Sequence, residues 1–190
     1  MKRLLGCLAL IGPIGALPGS AQEFSVPTQG VVGSNGNIHM PRGEFRTSWP
    51  MLGSWTILDE GEATGQHVVY TQPGVIEHYL EHGSFPDGAV LIKELLESKT
   101  DEYTTGTAAY ATEVTGWFVM VKDEHDRFDG NDLWGDGWGW GYFDVEDRET
   151  TTTEDYKIEC KTCHVPARET DWIYTEAYPV LSAEKSRQSD

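Results

Sequence analysis

From about residue 46 onward, short apolar runs are separated by turn residues, with the two-residue period of strands more often than the longer period of helices. Arg46–Leu58 predicts an element that packs its aromatics and then a strand, and His67-Val68-Val69-Tyr70-Thr71 predicts a second strand. A helix follows: Pro73 suits a first turn, Val75, Ile76, Tyr79 and Leu80 form an apolar stripe, and Gly83 is the stop. Phe85-Pro86-Asp87-Gly88 reads as a turn into a third strand, Ala89–Leu96. Residues 97–107 are polar, and Ala108–Lys122 contains a fourth strand around Trp117–Val121. Trp138–Val145 is the fifth, between an acidic loop at Asp123–Asp132 and a charged, Thr-rich loop at Glu146–Asp155. A helix or short turn then carries the last cysteines. Strands linked mostly by turns, with few and separate helices, predict an α+β domain built on a mainly antiparallel sheet.

The two ends follow other patterns. Lys2 and Arg3, an apolar run from Leu4 to about Leu17, and the small residues Gly19-Ser20-Ala21 have the order of a secretory signal peptide over 1–21. Cys7 falls at the start of that run, where a lipidation box does not belong. No other stretch approaches the ~20 apolar residues of a spanning helix, so the expectation is a periplasmic protein without a membrane span. Residues 22–37, rich in Gly, Ser and Asn, read as a mobile lead-in, 38–182 as one domain, and 183–190 as a tail.

Composition narrows the partners. The chain of 190 residues carries a formal charge of -17, and that acidity argues against nucleic acid and anionic membranes. A basic redox partner would suit it, although solubility alone explains such a surface.

Beyond Cys7 the only cysteines are Cys160 and Cys163, in Cys160-Lys161-Thr162-Cys163-His164. An exported chain with one such pair has no disulfide framework, and no second pair exists to complete a zinc site. C-x-x-C-H is the attachment signature of haem c: two thiols for one haem edge, and an imidazole to take one face of the iron. The expected cofactor is a single, covalently bound haem c on Cys160 and Cys163, with His164 as its metal ligand. Met40, Met51 and Met120 all precede the motif, an order unlike small electron-carrying cytochromes, so an open or gas-accessible sixth position is the favoured reading.

Further residues carry a family resemblance. Gly83-Ser84-Phe85-Pro86-Asp87-Gly88 leading into Val90-Leu91-Ile92-Lys93-Glu94-Leu95 resembles the cytochrome P460 family. So do Gly137-Trp138-Gly139-Trp140-Gly141-Tyr142-Phe143, the C-x-x-C-H and the ending Tyr174–Leu181. The resemblance implies a mainly antiparallel fold, usually a homodimer, that oxidises hydroxylamine to nitrous oxide or nitric oxide and passes electrons to a soluble acceptor. It also implies a further bond from a lysine nitrogen to a meso carbon of the haem, and Lys93 matches that lysine.

Strand periodicity leaves Lys93 open. Ala89, Leu91, Lys93 and Leu95 share one face, where a desolvated amine would be nucleophilic; Val90, Ile92 and Leu96 could equally face the core and send Lys93 outward. The alternation of Gly137, Gly139 and Gly141 with Trp138, Trp140 and Tyr142 also has two readings. The bare face could receive a porphyrin or a packed helix.

The resemblance also exposes departures. Active family members keep an arginine and a carboxylate over the distal iron face; here those positions fall on His67 and Phe118. His67 could be a proton acceptor titrating near the working range, or an ordinary strand histidine. Glu113, Glu169 and Asp171 are other candidate bases. An aromatic cap at Phe118 is the pattern of the related cytochrome c′-β proteins, which bind nitric oxide without turnover. The alternative function is therefore a gas-ligand trap. His78 and His82, one helical turn apart, are expected to be solvated.

Overall fold

The computed structural model describes residues 23–182, so the expected signal peptide and the whole of the expected tail lie outside the described residues. Six strands form one antiparallel sheet: β1 (Met51–Asp59), β2 (Glu62–Thr71), β3 (Val90–Tyr103), β4 (Gly106–Lys122), β5 (Trp134–Gly135) and β6 (Trp138–Asp144), in the order β1-β2-β3-β4-β6-β5. Among the described residues four short helices accompany it: α1 (Phe45–Ser48), α2 (Val75–His82), α3 (Tyr156–Glu159) and α4 (Lys161–His164). None is long and apolar enough to cross a membrane. The α+β antiparallel expectation holds.

The helix stops where predicted. Gly83 takes φ +75°, the left-handed conformation that closes a helix end without a Cβ penalty, and its N–H donates to the Tyr79 carbonyl at 2.7 Å. Three strands run further than the sequence pattern marks: β2 begins at Glu62 rather than His67, and β3 and β4 both extend. β3 continues through polar residues to Tyr103 and turns into β4 at Gly106, giving a two-stranded ribbon from Ser98 to Ala111 that is largely solvated. A ribbon wet on both faces has no inside–outside alternation, so polarity alone cannot reveal it. β5 is two residues long and left no pattern at all.

The centre of the sheet is covered on both sides. Leu52, Val69, Leu91, Met120, Trp138 and Trp140 pack under the C-terminal segment, with Tyr156, Trp172, Ile173 and Tyr178. Val90, Ile92, Trp117, Val119 and Phe143 pack on the opposite face with Val31, Ile38 and Phe45. Each fully buried aliphatic or aromatic side chain contributes roughly 1.5–3 kcal/mol. Residues 23–37 supply part of this second cover: Val31 is fully buried and pairs around Gly33 with the chain near Ile38, and Ser25 bonds to Asp87. Arg127 reaches Asp87 and Asp123 at 2.6 Å each, which fastens the acidic loop to the turn before β3.

Candidate functional site

The cysteine segment is two single helical turns set end to end. Asp155 caps α3 by accepting from the Lys157 amide at 2.9 Å, and Glu159 accepts from the Glu154 amide at 2.8 Å. Cys160 is the junction residue, the C-cap of α3 and the N-cap of α4; it is buried while Cys163 is exposed, and both are free thiols. Burial pushes the Cys160 thiol up to about 11. A redox-active dithiol needs the reverse, a depressed pKa that yields thiolate.

His164 ends α4 and is partly buried. Its Nδ1 lies 2.6 Å from the Trp172 carbonyl oxygen. A carbonyl only accepts, so Nδ1 carries the proton and Nε2 keeps its lone pair. This is the arrangement that metal-ligating histidines use, one nitrogen tied back and the other free to coordinate. Burial lowers the imidazole's pKa, and Lys93 lowers it further, against the Trp172 hydrogen bond. The ring stands edge-on to Trp140, 5.0 Å between centroids.

The imidazole and both thiols open into one cavity of about 230 Å³. Its sheet wall carries Trp55, Val69, Leu91, Lys93, Phe118, Met120 and Trp140; Ile173, Tyr174 and Tyr178 line it from the C-terminal segment. Lys93 is paired across the strands with Val69 on β2 and Phe118 on β4, so alternation places all three on this face. The Lys93 amine sits 4.5 Å from the centre of the Phe118 ring, and no carboxylate pairs with it among the described residues. Burial pushes it below the ordinary amine range, while the Cys163 and Cys160 sulfurs act the other way. Two thiols, an imidazole with a free nitrogen, apolar walls and a lone amine form a donor set that fits a c-type haem.

The family model of cytochrome P460 matches residues 44–175, most of the chain. The chain belongs to the cytochrome P460 family. Membership implies a haem cofactor. No curated protein matches the chain.

Within this P460 domain the other predicted residues separate into those near the cavity and those away from it. His67 shares the strand face of Val69 but lies one row beyond the lining; its ring meets Trp55 edge-on at 5.4 Å and its buried Nδ1 has no hydrogen-bond partner. Desolvation, aided by Lys93, lowers its pKa to about 4. Of its two readings this favours the ordinary strand histidine, kept neutral and weakly basic by packing against Trp55. Glu113 and Glu169 are exposed and outside the lining, and Asp171 pairs with Lys122 at 2.9 Å. The His78 and His82 rings stack at 4.1 Å on α2.

The glycine-rich strand also resolves differently from both of its readings. In β6 the aromatic face, not the bare one, looks toward the cavity, through Trp140. The bare face receives the Trp134 indole: a Cβ on Gly139 would come within 2.8 Å of that ring. The flat group that needs the missing side chains belongs to the chain itself. Sequence reasoning missed Trp55, Tyr178 and Glu159 in the lining. The Glu159 carboxylate is committed to the cap of α3, so it is no free base. The Trp172 carbonyl was also missed, because a backbone acceptor leaves no trace in residue type.

Proposed function

We propose that this is an exported mono-haem cytochrome of the P460 type that oxidises hydroxylamine to nitrous oxide or nitric oxide. The observation that carries the reading is Lys93: a half-buried amine, with no carboxylate beside it among the described residues, in the same cavity as Cys160, Cys163 and His164. Isolating an amine there lowers its proton affinity and makes it a nucleophile. Cys160 and Cys163 would hold the haem through thioether bonds, His164 Nε2 would hold iron, and Lys93 would bond the ring edge. That last bond replaces an N–H and a meso C–H by C–N, releasing two protons and two electrons to an oxidant such as a peroxide. Bound haem supplies the one-electron steps of the oxidation.

The chain's own residues set the terms for substrate. Hydroxylamine loses a proton with each electron, so a proton acceptor near the distal face speeds the reaction. His67 is the candidate nearest the lining, and its weak basicity makes it a modest one. The apolar walls restrict the site to small, uncharged nitrogen species. Electrons leave to a soluble acceptor, and the acidic surface suits a basic one.

One observation favours the second reading, a nitric-oxide-binding protein of the c′-β kind. Phe118 occupies the lining beside Lys93, and among the described residues no uncommitted carboxylate reaches the cavity. Peptide mapping, intact mass and the optical spectrum of haem-loaded protein separate the two. The P460 reading requires a Lys93–haem adduct lighter than the simple sum by a hydrogen pair, with a red-shifted ferrous band and steady-state hydroxylamine oxidation with an artificial acceptor. An unmodified Lys93 with an ordinary c-type spectrum and no turnover would replace it with the gas-trap reading.

A further inference from the structure

Asp171 and Trp172 both have positive φ, 58° and 66°, the left-handed region that non-glycine residues rarely adopt. Two such residues in succession cost backbone energy, and the structure around them over-determines their position. Lys122, the last residue of β4 and buried, donates from Nζ to the Asp171 carboxylate at 2.9 Å. Trp138, its cross-strand neighbour on β6, donates from Nε1 to the Asp171 carbonyl at 3.0 Å. The Trp172 amide is tied to the Ala167 carbonyl at 2.8 Å. The result of this bracing is the aim of one group: the Trp172 carbonyl, which receives the His164 Nδ1 proton at 2.6 Å.

We propose that Lys122 and Asp171 are positioning residues for the axial imidazole, stapling the loop after α4 to the rigid sheet so that the Trp172 carbonyl holds His164 in one orientation and tautomer. The inference rests on the reading that His164 Nε2 holds haem iron. A firm Nδ1–H···O=C bond makes the imidazole a stronger electron donor, which favours ferric over ferrous iron. The staple therefore acts on the reduction potential through the hydrogen bond accepted by the residue next to Asp171. It also leaves Asp171, one of the three acids considered as a base, without a free carboxylate: it is spent on Lys122.

The test uses haem-loaded protein and two variants. Asp171→Asn keeps a residue that tolerates the left-handed backbone and removes only the charge; Lys122→Met removes the other partner. Loosening the Trp172 carbonyl shifts the ferric–ferrous equilibrium toward ferrous by about tenfold in both, equal to ~59 mV upward for one electron. The iron–histidine stretch in resonance Raman spectra of the ferrous protein falls in both, and either variant alone tests that shift. Lys122→Arg restores wild-type values, and Asp101→Asn, which breaks the exposed Lys99–Asp101 pair, leaves them unchanged. A plain charge effect on the haem would move the potential upward in Asp171→Asn and downward in Lys122→Met, and that opposition of signs would overturn the proposal. So would an unchanged stretch in folded, haem-loaded variants. Wild-type protein that takes up no haem in a host with attachment machinery would instead remove the underlying reading of His164.

Discussion

Lys93 and Glu94 are neighbours on β3 that face opposite sides of the sheet, and each takes a charged group away from water. Glu94, 2% exposed, is fully answered: Arg46 grips its carboxylate through Nε and Nη2, and the Trp117 indole donates to it at 2.9 Å. Among the described residues Lys93 has the face of Phe118 and the neighbouring sulfurs, and no carboxylate. On the side of the N-terminal segment Asp87 and Asp123 share Arg127, whereas toward the cavity His67 keeps an unpartnered ring nitrogen. Paired buried charges fix a fold and are costly to break, while an unpaired one is tolerated where it has chemistry to do.

The strongest way to break this contrast is Arg127→Ala, which leaves two buried carboxylates without their guanidinium. A loss of about 3–5 kcal/mol in denaturant unfolding is expected, and a loss near zero would mean that those carboxylates are effectively solvated. Arg46→Ala does the same to Glu94 with the Trp117 donor still present, and roughly 3 kcal/mol should disappear in the same assay. On the cavity face the effects move to chemistry. Phe118→Glu places a carboxylate beside the distal site and raises steady-state hydroxylamine oxidation by about a hundredfold; no gain would place Phe118 away from the reacting face. Lys93→Met leaves stability within ~1 kcal/mol, because no ion pair is lost, yet abolishes the haem adduct by mass and lowers turnover at least about tenfold.

The smallest expected effect is in acid. Burial by itself would raise Asp87, but Arg127 and the Glu124 and Ser25 amides outweigh it and hold the carboxyl below its ordinary value near 3.8. A carboxyl depressed in the folded state contributes stability that is complete above its unfolded value and lost as pH falls through the folded one. Unfolding midpoints should therefore be insensitive to this group from neutrality to about that ordinary value, and fall below it. Arg127→Met removes the main group that depresses this carboxyl and should flatten that fall.

Much of this could be read from residue order. The helix with its Gly83 stop, the central strands and the C-x-x-C-H are local signals, each written within a few neighbouring residues. The β3–β4 ribbon was hidden because both its faces are wet, and β5 because two residues carry no period. Lys93 was ambiguous for a related reason: Val90, Leu91 and Ile92 are all buried, so alternation cannot say which face is the core when both are.

By itself the sequence carried the family and with it the haem cofactor, and it determined that an antiparallel sheet would form the domain, with the C-x-x-C-H on a helical turn outside it. Tertiary structure alone decided that Lys93 shares a cavity with those groups, that the bare face of β6 is filled by Trp134, that His67 is desolvated, and that a backbone carbonyl orients His164. Those outcomes depend on contacts between segments far apart in the chain. The identity of a residue does not record which distant neighbour will desolvate it or accept its proton.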